Sequence, residues 1–165
     1  VNVRAAAQAI VMSAVALVCS AHAGDYEDGM AAYRARDYQR ARLLWTPLAM
    51  QGQRRAQVSL ARMCERGEGA TPDLGEALRW YREAAEQNHS ESQYRVAMAH
   101  AYGLGGWFKD QGQAAVWLER AAGNGHKRSQ RMLAQAYRTG ELGLTPDPDR
   151  AKYWQARADA KAKRR

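Results

Sequence analysis

Residues 77–85 read ALRWYREAA, residues 114–122 read AAVWLERAA, and residues 151–159 read AKYWQARAD. Ala77, Ala114 and Ala151 are 37 residues apart, and each is followed three residues later by Trp80, Trp117 or Trp154. Small and large side chains therefore alternate on one face of a helix, which suits packing against a face with the inverse pattern. Residues 41–49, ARLLWTPLA, put Ala41 on the same grid 36 residues before Ala77. A fixed period of this size marks a unit that cannot bury its stripe alone and stacks on its own copies.

Working outward, each unit has a first half. The windows beginning at Ala56, Ser92 and Ser129 are 36 and 37 residues apart. Apolar residues at helical spacing are Ala56, Leu60, Met63 and Cys64, then Tyr94, Ala97, Ala101 and Tyr102, then Met132, Leu133, Ala136 and Tyr137. Glycines break each run: Gly67 and Gly69, Gly103 and Gly105, Gly140 and Gly143. Asp73, Asp110 and Asp147 or Asp149 then precede the second run and suit its N-cap or first turn, with Pro72 and Pro146 reinforcing the boundary. The leading unit has a shorter first helix, roughly Tyr26 to Ala35, as a capping unit with one neighbour should.

The expected fold is all-α: a short right-handed superhelix, or α-solenoid, of about four antiparallel helix pairs. The units span about 24–52, 53–88, 89–125 and 126–160 within a repeat domain at 24–160.

The residues Leu60-Ala61, Gly67-x-Gly69, Asp73, Ala77, Trp80-Tyr81, Ala84-Ala85 and Asn88 closely resemble the Sel1-like repeats, relatives of the tetratricopeptide repeats. So do Val96-Ala97, Gly103-x-Gly105, Asp110, Ala114, Trp117, Ala121-Ala122 and Gly125, and in the last unit Leu133-Ala134, Tyr137, Gly140, Ala151 and Trp154. There are departures. The first-helix Gly of that pattern is Ala61, Ala97 and Ala134, and its Tyr is Cys64 or His100 in two units. The resemblance implies a scaffold or regulator that binds another protein on the inner face of the array, with many bacterial relatives exported.

Residues 1–23 carry one early charge, Arg4, then an uncharged run ending in Ala21-His22-Ala23 before the polar GDYEDG. This is the pattern of a cleaved secretory signal, placing the protein in the periplasm or outside the cell. Cleavage near Ala23 leaves one cysteine, Cys64, so the fold relies on packing rather than an internal disulfide. Of the formal net charge of +8, most lies in residues 150–165, where seven side chains are basic and one is acidic. The tail at 161–165, with Lys161, Lys163, Arg164 and Arg165, reads as a solvated helix end whose charge also suits an anionic membrane. No base-reading motif accompanies it, and no nucleic acid is expected as a partner.

No HExxH, CxxC or strand-borne glycine-rich phosphate loop occurs, so an enzyme, a metal site and a cofactor are not expected. His89 and His126 fall at equivalent repeat boundaries and read as caps; His100 reads as a satisfied structural histidine in an aromatic core slot. The candidate partner-binding residues are the outward side chains of the first helices: Arg62 and Glu65, Arg95, then Arg131, Gln135 and Arg138. The arginines suit an acidic peptide. Trp107 and Phe108, in a lengthened turn, are either an exposed anchor or a cover folded over the helix ends. The leading functional expectation is a protein-interaction scaffold or regulator of the bacterial envelope; the alternative is a cell-wall or polysaccharide-associated envelope factor.

Overall fold

The computed structural model describes residues 25–160. The expected leader at 1–23 and basic tail at 161–165 lie outside the described residues. Eight α-helices make four pairs: α1 (Tyr26–Arg34) with α2 (Tyr38–Met50), α3 (Arg54–Arg66) with α4 (Leu74–Glu86), α5 (Ser90–Tyr102) with α6 (Gln111–Gly123), and α7 (Lys127–Thr139) with α8 (Pro148–Asp159). No strand occurs among the described residues. Each helix packs mainly on its neighbours in sequence, so the chain is an α-solenoid of stacked pairs.

The punctuation seen in the sequence sets these bounds. Asp73 accepts the Glu76 backbone N–H at 2.8 Å, Asp110 that of Gln113 at 2.9 Å, and Asp147 that of Arg150 at 3.0 Å. Each satisfies an orphan donor of the helix it caps. His89 and His126 are caps as well, their Nδ1 atoms accepting from Ser92 N and Ser129 N. Gly67, Gly103 and Gly140 end the first helices at φ of 70°, 68° and 79°, a left-handed backbone that favours glycine. Tyr102 lies just before such a turn, and there the sequence stripe overreaches: its ring is exposed rather than in the core.

One core cluster holds Trp45 between α1, α2 and α3, with Ala41, Ala49, Leu60 and Met63. The other runs through the later units around Tyr81, Val96, Trp117, Leu118, Leu133 and Tyr137. Half-buried Trp80 packs on both and joins them. Ala77, Ala84, Ala114 and Ala121 are fully buried, which lets neighbouring helices approach over the large residues.

A buried glutamine repeats with the units. Gln57, Gln93 and Gln130 donate through Nε2 to the carbonyls of Ala49, Ala85 and Ala122 at 3.1, 3.0 and 2.9 Å. Each bond ties a first helix to the last turn of the preceding second helix. On the other side, Gln57 Oε1 accepts from Gln87 and Gln93 Oε1 from Asn124, both at 2.8 Å. Gln87 and Asn124 are the C-cap residues of α4 and α6; the C-cap of α8 is Ala160, and Gln130 Oε1 is buried without a partner among the described residues.

Candidate functional site

The first helices and the α4 start enclose a cavity of about 320 Å³, lined by Glu65 of α3, Leu74, Leu78 and Tyr81 of α4, Glu91, Tyr94, Arg95 and Met98 of α5, Leu104, and His126 and Arg128 at the head of α7. Local geometry makes this pocket. The turn at Gly103–Gly106 folds back on α4, and a Cβ at Gly105 would fall against Leu78 and the Leu74 carbonyl, so only glycine allows this approach. The turn thereby brings Leu104 to the pocket edge beside Leu74 and Leu78.

The rim is a chain of charged hydrogen bonds across three units. Arg95 donates through Nη1 to Glu65 Oε1 at 2.7 Å and through Nε to Glu91 Oε1 at 3.0 Å. Tyr81 donates to Glu65 Oε2 at 2.9 Å. His126 Nδ1 accepts the Ser129 backbone N–H, so its proton sits on Nε2, which donates to Glu91 Oε2 at 3.0 Å. The bond from His126, with that from Arg95, holds the Glu91 carboxyl down at about 2 against its partial burial. Burial first, then Glu65, pushes the Tyr81 hydroxyl up. The Tyr94 ring lies 4.7 Å from His126, with the Arg128 guanidinium 5.1 Å from the Tyr94 centroid.

The candidates read from sequence are distributed unevenly. Glu65 and Arg95 meet at this rim. Arg62 lines a neighbouring cavity of about 190 Å³ with Tyr26, Met30, Tyr33, Trp45, Ser59 and Arg66. Trp107 and Phe108 behave differently from each other. Trp107 folds back to pack its ring 4.9 Å from His100, whereas Phe108 is 93% exposed. His100 keeps the aromatic contact, but among the described residues its buried Nδ1 has no hydrogen-bond partner, so the histidine is not fully satisfied there; burial lowers its pKa.

Arg131, Gln135 and Arg138 are exposed on α7. They stand 37 residues after Tyr94, Met98 and Ala101, which the following unit covers wholly or in part. Lys152, Gln155 and Asp159 likewise replace the buried Ala115, Leu118 and Ala122. The fourth unit thus presents a polar face at positions where the third is buried. Arg138 borders a cavity on it beside Lys152, Gln155 and Asp159.

Tyr81, Glu91, Met98, Leu104, His126 and Arg128 are site residues that sequence reasoning missed. Among the described residues no group of three or more His, Cys, Asp and Glu side chains is placed to hold a metal ion, and no helix is long and apolar enough to cross a membrane.

Stacked, capped helix pairs with side chains gathered on their first helices define an α-solenoid of the tetratricopeptide-like class. The chain belongs to the Sel1 repeat family, whose model matches residues 21–53, 54–89, 90–126 and 127–158. It is similar to the crystal structure of a Sel1 repeat protein from Oxalobacter formigenes, with 26% identity and a TM-score of 0.66 over 78% of this chain and 51% of that one. It shares its fold with a protective antigen of uropathogenic Escherichia coli that displays an SLR fold, with 24% identity and a TM-score of 0.68 over 82% of this chain and 30% of that one. The chain thus spans about half the length of the first and under a third of the second. No curated protein matches it. Sel1 repeats generally mediate protein–protein interactions, and proteins built from them are typically non-catalytic scaffolds.

Proposed function

We propose that this protein is an exported scaffold of the bacterial envelope that holds a partner protein on its first-helix face. The uncharged run from Ala5 to Ala21, preceded by Arg4 and closed by Ala21-His22-Ala23, supports export. The observation that carries the binding site is the cavity between α3, α4, α5 and α7. Leu74, Leu78, Met98, Leu104 and the rings of Tyr81 and Tyr94 give it apolar walls. Its rim charges already answer one another, because Arg95 bonds both Glu65 and Glu91.

An acidic peptide would have to compete with those two carboxylates for Arg95. A bulky aromatic side chain meets no such competition, and aromatic residues in desolvated pockets are among the few that carry most of an interface's binding energy. The partner segment therefore inserts an apolar anchor, with Arg128 left at the edge for a polar contact. Met98→Trp fills this cavity. Affinity purification from envelope extract should recover a protein with the wild type and lose it with Met98→Trp, at unchanged helical content. Equal recovery by both would overturn the reading.

A further inference from the structure

A second cavity lies against the second helices α2 and α4. The equivalent tryptophans Trp80, Trp117 and Trp154 are treated differently by the residue three positions later. The Arg120 guanidinium lies 4.7 Å from the Trp117 ring centroid, and that of Arg157 lies 5.9 Å from Trp154. Both are cation–π distances. Trp117 is 7% exposed as a member of the core cluster, whereas Trp154, like Trp80, is half-buried. At Trp80 the corresponding residue is Glu83, and no guanidinium or ammonium covers this indole among the described residues. Trp80 instead lines an open cavity of about 510 Å³ with Ala49, Met50, Glu76, Arg79 and Glu83 among its walls.

We propose that this cavity receives an arginine side chain from a basic protein segment, stacked on Trp80 and paired with Glu83. The third unit shows what the position accepts over its tryptophan, namely a guanidinium; in the fourth, Arg157 is shared with Tyr153, whose hydroxyl accepts from it at 3.0 Å. The second unit keeps the aromatic face, omits the internal cation and supplies a carboxylate in its place. Glu76 is not available for this role, because Arg42 bonds it at 3.3 Å. Glu83 forms no ion pair among the described residues. Met50 is 74% exposed beside the cavity and offers apolar surface for the methylene stem of the incoming arginine. Arg79, also on the wall and outside any described ion pair, is left for an acceptor of the same segment, such as a main-chain carbonyl. None of these residues belongs to the first-helix cavity, so the two sites stand independently.

The test uses the full chain labelled with nitrogen-15, whose indole N–H signals report each tryptophan separately. The probe is the acetylated, amidated peptide Gly-Ser-Arg-Ser-Gly, with citrulline in place of arginine as its neutral isostere. The arginine peptide should move the Trp80 indole signal saturably and leave that of Trp117 in place. Citrulline should weaken the effect by about tenfold, the loss of roughly one charge-assisted contact. Glu83→Arg gives the second unit its own guanidinium, as in the third, and should abolish the shift while the protein stays folded. The proposal fails if Trp80 does not respond, if citrulline acts as well as arginine, or if the Glu83→Arg chain binds like the wild type.

Discussion

Asn124 donates through Nδ2 to the buried Oε1 of Gln93 at 2.8 Å, and so locks the end of α6 to the start of α5. The position equivalent to Asn124 one unit later, 37 residues on, is Lys161, which lies outside the described residues. Asn124→Ala should destabilise the protein by about 1–3 kcal/mol by orphaning Gln93 Oε1. Thermal unfolding of the two chains checks this; an unchanged or raised midpoint would contradict it.

The first unit depends on a glycine for packing. A Cβ at Gly29, within helix α1, would fall inside the Trp45 indole, which is itself buried. Alanine is the better helix former, so a substitution judged on propensity alone would stabilise. Overpacking decides the sign instead. Gly29→Ala should destabilise by about 1–3 kcal/mol, seen as a lower midpoint in denaturant.

Glu91 sets a pH dependence. Its folded pKa of about 2 lies below the ordinary carboxylate value. Its contribution is therefore present above roughly pH 4.5 and lost as pH falls toward 2. Because the side chain remains 35% exposed, that contribution is on the order of 1 kcal/mol after solvent screening. Glu91→Gln should show this deficit in urea unfolding near neutral pH, and the gap to the wild type should shrink on acidification. A gap independent of pH would mean that the carboxylate charge is not what Glu91 contributes.

Trp107 and Phe108 should separate in the same assay. Trp107 packs on His100 and the second core cluster, so Trp107→Ala should cost about 2 kcal/mol, less than a fully buried tryptophan. Phe108→Ala should change stability by less than about 0.5 kcal/mol, as exposed positions do.

The repeats, the glycine stops and the aspartate and histidine caps were legible because each recurs at equivalent positions. The pocket was not. Glu65, Glu91, Arg95 and His126 sit at different places within their units, so a comparison of units sees four unrelated side chains. Only stacking brings Glu65 and Arg95, 30 positions apart, and Glu91 and His126, 35 apart, into one chain of bonds. Phe108 and Trp107 differ for a similar reason: adjacent residues in an extended turn point to opposite sides, and the sequence does not say which side holds His100. Gln57, Gln93 and Gln130 did carry a periodic mark, at spacings of 36 and 37. A polar residue repeated in an apolar window signals a buried hydrogen bond, and that clue was available without the structure.

The most direct test of the scaffold reading is photocrosslinking in living cells. A benzophenone side chain is placed at exposed Arg128 on the edge of the first-helix cavity and, separately, at exposed Tyr153 on the second-helix side. One discrete protein adduct is expected from Arg128, recovered from the envelope fraction, and none from Tyr153. No protein adduct at Arg128, or the same adduct from both positions, would contradict the scaffold reading.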